Sequence, residues 1–259
     1  MAVDIPRRAL LAFGLAAPLP LRAQTTPEAW MAGWEAVLRR HVDEQGRVDF
    51  VGAAANIGPL DDLVRWAGAV GPRTQPALFP TPAHRIAYHC NTYNMIAMWR
   101  VIQAGIPVRF NLLARYQFFF NSAIAVDGGY TTLKQYEDEV IRPIDEERTH
   151  FALNCMVRGC PRLPREAFRP ERLEAQLTAV TREFCNSAYH VRLDPAERLV
   201  RLSEIFRFYK VDFVPGKAPN LIAYTNRWRE TPIPTDWRQG FFEYDWSINS
   251  QPAARRAGG

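Results

Sequence analysis

The sequence predicts an α+β domain, with a buried central helix packed on a mainly antiparallel sheet. Three observations predict it. Helical periodicity with capping residues in place dominates the first hundred positions. The segment after Pro82 is apolar on two of its sides, as a helix enclosed by neighbours must be. Alternating stretches joined by turn residues recur in the second half, the pattern of hairpins.

The first residues stand apart from that fold. Arg7 and Arg8 precede an apolar run over 9–21, and the small Ala23 follows. This is the layout of an export signal cleaved after residue 23. The run is interrupted by Gly14, Pro18 and Pro20 and falls short of the roughly 20 residues that span a bilayer. The arginine pair is similar to a twin-arginine signal, although Pro6 stands where Ser or Thr is usual, so twin-arginine and Sec export both remain open. The expectation is a periplasmic or secreted protein with a signal peptide at 1–23, one globular domain at 24–249 and a disordered tail at 250–259.

Thr26 and Pro27 start the first helix, with Trp30, Trp34, Val37, Leu38 and His41 on one face. A second helix covers 60–69, and 71–82 is a proline-punctuated loop. The third helix is capped by Thr81 and ended by Gly105. Ile86, Cys90, Tyr93, Ala97 and Val101 form one apolar stripe, and Tyr88, Met95, Met98 and Ile102 another. His84, Asn91 and Asn94 form a narrow polar strip on the same helix. A buried amide without a partner costs ~1–3 kcal/mol, so the strip must meet other polar groups. Aromatic 116–126 followed by Asp127, Gly128 and Gly129 reads as a strand–turn–strand unit. Thr132 caps a short helix to 141, on which Glu137 and Glu139 read as solvated. The alternation at 150–154 reads as a half-buried strand, with Phe151 and Leu153 inward and His150 and Asn154 sharing the opposite face. Pro170 opens a helix with Leu173, Leu177, Val180 and Phe184 on one face. Segments 189–193 and 198–202 form a hairpin, Ser203 caps a short helix, 218–228 is another helix, and 241–246 is a closing strand.

The net charge of +5 is spread along the chain rather than concentrated on one face, which argues against nucleic-acid binding. No further apolar run reaches bilayer length, so stable membrane insertion is not expected once the signal is removed. There is no phosphate-binding glycine loop and no nucleophile-elbow serine, and no cofactor is implied. Four cysteines, Cys90, Cys155, Cys160 and Cys185, are too few to carry the fold as a bridged scaffold. Cys90 and Cys185 fall on apolar helix faces and read as core.

Four segments in order, IAYHCNTYNMI (86–96), HFALNCMVRGCPRL (150–163), LSEIFRFYKVDF (202–213) and YDWSIN (244–249), resemble the family catalogued as domain of unknown function 547. The resemblance runs from about Trp34 to Asn249. The family usually has Phe-Trp-Ile-Asn where this chain has Tyr88, His89, Cys90 and Asn91, so His89 and Cys90 are not read as family site residues. The resemblance implies a domain but no reaction, and it is compatible with a binding role as well as an enzymatic one. A core helix on a sheet with a histidine from a strand is also similar to papain-like and transglutaminase-like folds, where a cysteine opens the helix.

The expected site is a polar pocket with Asn91 and Asn94 on one wall and His150 and Asn154 on the other. Cys155 and Cys160 shape the loop at its mouth, with Arg158 between them. Four readings of the cysteines stay open, the plainest being buried, unreactive thiols. Or they form a disulfide, for which Gly159 allows the bend. Or one of them is a thiolate nucleophile, with His150 as base and Arg158 lowering the thiol pKa. Or they bind zinc with His150, a site lacking its fourth ligand, and so no metal is expected. Asp245 or Asn249 could orient His150 as a third group; otherwise Tyr244 and Trp246 fasten a closing strand and Asp245 makes a turn. The leading expectation is a thiol- and histidine-dependent hydrolase or acyl transferase on an envelope peptide or ester, with His150 and Cys155 as its catalytic pair. The alternative is a module that binds a small molecule or peptide, with Cys155–Cys160 as a structural disulfide.

Overall fold

The computed structural model describes residues 25–252. The expected signal peptide at 1–23, and residues 253–259 of the expected tail, lie outside the described residues.

Helix α1 (Pro27–His41) begins where Thr26 Oγ1 accepts from the Ala29 N–H at 3.2 Å. Its Trp30 ring stacks on Trp66 of α3 (Gly58–Ala69), 5.0 Å between centroids, and donates from its indole N–H to Leu63 O at 3.0 Å. Between them lies α2 (Phe50–Ala55), capped by Asp49, a helix the sequence reading leaves out.

Helix α4 (Pro82–Gln103) is the centre of the molecule. Every residue from 86 to 98 is buried, so the two apolar stripes do face neighbours on both sides. Those neighbours are chiefly α1, α2, α3 and the turn Pro170–Arg172, not a sheet. The expectation of a helix laid on a mainly antiparallel sheet is therefore corrected: the sheets are small and peripheral, and a papain-like arrangement is not seen.

Helix α5 (Leu112–Phe120) replaces the strand expected there. Asn111 Oδ1 caps it by accepting from Ala114 N–H at 2.9 Å, and Phe118 packs on Phe110 at 4.7 Å. Packing of the aromatic face outweighs the strand preference of such residues. The hairpin itself is present but shorter, β1 (Ile124–Val126) with β2 (Gly129–Thr131). Asp127 and Gly128 both have positive φ, 51° and 73°, the geometry that favours Asp-Gly in such turns.

Thr132 and Gln135 form a reciprocal capping box at α6 (Leu133–Gln135), which continues as a π-helix, Tyr136–Ile141. Two 3-10 turns follow, Arg142–Ile144 and Glu147–Phe151. His150 thus lies on a helical turn, and the strand expected over 150–154 is absent. The Thr149 hydroxyl donates to Glu146 O at 2.8 Å and Ala152 N–H donates to Thr149 O at 2.9 Å; these local bonds take the place of a ladder. Phe151 and Leu153 still enter the core, which is the part of the alternation that burial enforced.

Helix α7 (Leu173–Asn186) buries Leu173, Leu177, Val180 and Phe184 as expected. Strands β3 (Val191–Asp194) and β4 (Leu199–Ser203) pair antiparallel, Val191 opposite Leu202. Short helices α8 (Ile205–Phe208), α9 (Lys210–Phe213) and α10 (Leu221–Asn226) follow. Strand β5 (Arg238–Phe242) then joins β4 in parallel, so the three-stranded sheet is mixed. The last stretch runs through single bridges, Ser247 with Arg109, Ile248 with Val157 and Ser250 with Val48. Gln251 N–H donates to Val48 O at 2.9 Å, so Ser250 and Gln251, expected in a tail, are tied to the domain. Among the described residues no helix is long and apolar enough to cross a membrane.

Candidate functional site

The asparagines expected to face a ligand are spent on the main chain. Asn91 Nδ2 donates to Phe168 O at 2.8 Å, and its Oδ1 accepts from Phe168 N–H at 2.9 Å. Asn94 does the same across 152–154, donating to Ala152 O at 2.9 Å and accepting from Asn154 N–H at 2.7 Å. Asn154 in turn donates to Pro161 O at 2.6 Å and accepts from Met156 N–H at 2.7 Å. Burial demanded partners for these amides, and the irregular backbone of 152–168, which has no ladder of its own, supplied them. The predicted wall of Asn91, Asn94 and Asn154 is corrected accordingly: these side chains pin the thiol loop to α4 and do not line the cavity beside it. Met156, with φ of 66°, sits at the bend that Asn154 stabilises.

That loop forms the floor of a cavity of about 340 Å³. Cys155, Cys160 and His150 line it together, as the sequence grouping implied, and aromatic rings from distant segments complete it: Tyr93, Phe119, Phe208, Tyr209, Tyr244 and Trp246. The two sulfurs are 2.9 Å apart and unbonded. Cys160 Sγ receives the Cys155 N–H at 3.1 Å and the Tyr244 O–H at 3.2 Å. Burial opposes a thiolate at Cys160, but these donors and the Cys155 thiol outweigh it and bring its pKa below the ordinary thiol value. Cys155 moves the other way: its bond to Cys160, then burial, holds it protonated. Gly159 leaves room for this contact, because a Cβ there would meet the Tyr244 ring at 2.8 Å. Cys90 and Cys185 are wholly buried, as expected; burial raises both, Cys185 to about 12, so neither is a nucleophile.

His150 is held from two directions. Its Nε2 bonds Asp212 Oδ2 at 2.8 Å, and its ring stacks on Tyr209 at 4.1 Å. Asp212 also receives a bidentate pair from Arg142 at 2.7 and 2.9 Å. Burial resists ionisation of Asp212, but these bonds overcome it and hold the carboxyl well below the usual range. Nδ1 of His150 is buried without a partner among the described residues. The orienting group is thus Asp212 of α9. Asp245 instead makes a turn, accepting from Ser247 N–H at 2.9 Å, and Asn249 donates to Gly46 O at 2.7 Å.

Glu137 is the residue that sequence reasoning missed. It is buried in the π-helical turn and lines the cavity, while Glu139 lies in solvent as expected. The Tyr93 hydroxyl donates to Glu137 at 3.2 Å, and Tyr209 lines the same wall of the cavity. Burial, then the Glu137 charge, raises both phenols far above their ordinary value, so both stay protonated donors. A signal for this was present: Leu133, Glu137 and Ile141 fall at i, i+4 and i+8 after a capping box, and the two flanking residues are buried. π-Turns of this kind recur at functional sites. Lys134 adds one cation to the rim, 2.5 Å from Asp138. Arg158 does not line this cavity; it lies on a second one that shares Cys160. Among the described residues no three His, Cys, Asp or Glu side chains are grouped to hold a metal ion.

Residues 80–185, which include α4, the Glu137 turn, His150 and both loop cysteines, match the family described as Protein of unknown function, DUF547. The chain carries a DUF547 domain over those residues. No curated protein and no solved structure gives a match.

Proposed function

We propose that the aromatic cavity is an acyl-transfer site in which Cys160, as thiolate, is the nucleophile. The observation that carries this reading is the set of donors converging on Cys160 Sγ, from Cys155 and Tyr244, inside a cavity that also holds His150 and Glu137. A thiolate attacks the acyl carbon of an ester or amide, the C–S bond forms, and the bond to the leaving oxygen or nitrogen breaks. His150, oriented by Asp212, holds the proton given up by the Cys160 thiol and passes it to the leaving group. It then withdraws one from the water, or other acceptor, that cleaves the thioester, and Cys160 leaves as the thiolate it began as. Glu137, bonded by the Tyr93 phenol, is the second proton carrier of the same wall. The role expected of Cys155 passes to Cys160, because Cys155 is the donor of the pair. The aromatic walls suit an apolar acyl group, and an export signal at 1–23 would direct the activity toward an envelope peptide or ester.

The test is intact-mass spectrometry after brief exposure to p-nitrophenyl butyrate. A single butyryl adduct on Cys160 is expected, absent in Cys160→Ser and longer-lived in His150→Gln. No adduct on wild type, or an adduct that persists in Cys160→Ser, overturns the reading.

One observation favours a second reading, a structural disulfide in a binding module: the sulfurs need only close from 2.9 Å to the ~2.05 Å of a bond. Exchange with an external disulfide would oxidise both thiols and reduce that disulfide to two thiols. Protein isolated without reductant, two hydrogens lighter and silent to iodoacetamide at both positions, would decide for this reading.

A further inference from the structure

A second cavity of about 400 Å³ lies against the same loop and shares only Cys160 and Pro161 with the aromatic one. Its walls differ in charge. Arg47, Arg158 and Arg162 line it, opposed by a single acid, Glu183. Arg162 consumes that acid in a two-pronged pair at 2.5 and 2.8 Å. Asp245 feels the charge of Arg158 but takes its hydrogen bonds from Ser247 and Tyr189. Among the described residues the guanidinium groups of Arg47 and Arg158 have neither an ion pair nor a hydrogen bond, although both residues are half-buried. Cations drawn partly out of water without a counter-ion are costly, and a bound anion offsets that cost through charge-assisted bonds.

The neutral groups on the same walls narrow the ligand. His190 is 7% exposed, and its Nδ1 is buried with no partner. Burial, then Arg192, depresses it to about 3, so it adds no charge and offers a neutral ring. Ser187 Oγ accepts from Tyr189 N–H at 3.2 Å and keeps its own proton to donate. Phe151, Val180 and Phe184 supply an apolar wall. Two open guanidiniums beside an apolar surface fit an anion that carries a hydrocarbon body.

We infer that this cavity binds a small organic carboxylate, its head on Arg47 and Arg158 and its apolar part against Phe151, Val180 and Phe184. The site is independent of whether Cys160 is nucleophilic, since none of these contacts uses the sulfur.

Calorimetric titration of the full chain with butyrate, at constant ionic strength, tests it. Saturable binding at one site is expected, weakened about tenfold or more in Arg158→Gln and in Arg47→Gln, the loss of one charge-assisted bond. Arg158→Lys should recover part of it, and butyramide should not bind. Both glutamine variants are checked for an unchanged melting profile, so that lost binding is not lost fold. Equal binding of butyramide, tighter binding of inorganic phosphate than of butyrate, indifference to both substitutions, or no saturable butyrate binding overturns the inference.

Discussion

Replacing Asn94 by alanine is a direct test of the claim that the amides of α4 are staples and not ligand contacts. The substitution removes the acceptor for Asn154 N–H and the donor for Ala152 O, both buried. An orphaned buried group costs about 1–3 kcal/mol, so the pair amounts to about 2–6 kcal/mol, before any relaxation that lets water in. Total stabilities lie near 5–15 kcal/mol, which makes this a large fraction of the fold. Urea unfolding followed by tryptophan fluorescence is the assay. With an m-value of about 2–3 kcal/mol/M, the midpoint should fall by about 0.7–3 M at unchanged slope. Asn94→Asp should do no better: it keeps the acceptor but sets a carboxylate oxygen against the Ala152 carbonyl. Asn121→Ala is the control, since Asn121 is exposed and bonds only Gln117 at 3.1 Å; a change within about 0.5 kcal/mol is expected there. If Asn94→Ala unfolds at the same urea concentration as that control, the staple argument is wrong, and a ligand-facing role for the amide returns.

Two further outcomes follow from the same geometry. Tyr244→Phe deletes one donor to Cys160 Sγ, and a hydrogen bond to a charged group is worth about 1.5–3 kcal/mol. The pH midpoint for alkylation of Cys160 should therefore rise by about one unit or more, read by iodoacetamide labelling rate against pH; an unmoved midpoint removes Tyr244 from the account. Asp212 is less protonated in the folded than in the unfolded chain, because its bonds to Arg142 and His150 depress its pKa. Its contribution is present above the unfolded carboxylate value of about 3.9 and is lost as the pH falls below it, toward the folded value. Melting temperature should drop more steeply below pH 4 in wild type than in Asp212→Asn; parallel curves would contradict this.

Helices α1, α4 and α7 were legible because each joins a clear N-terminal signal, Thr26 with Pro27, Thr81 with Pro82, or Pro170, to a 3.6-residue apolar period. Helix α5 was not, because a run as aromatic as 116–120 carries no period of its own. The grouping of His150 with two cysteines survived, although the strand meant to carry it did not, since spacing in a twelve-residue stretch keeps residues near one another whatever the backbone does. The amides were rightly judged to need partners, but a sequence does not show that a coil will offer its main chain first. Tyr93, Tyr209 with Asp212, and Tyr244 come from three separate segments, and only tertiary packing brings them to the loop. Glu137 was hidden by a habit of reading an acid on a short helix as solvated.

The segment from Tyr244 to Gln251 lies against Val48, Arg109 and Val157 through single bridges and main-chain bonds. In a newly synthesised chain it emerges after every other part of the site, so the Tyr244 phenol, one of the donors that lower the Cys160 pKa, acts only when the domain closes. Until it does, the sulfur lacks that donor, and only the bonds made within its own loop act on it.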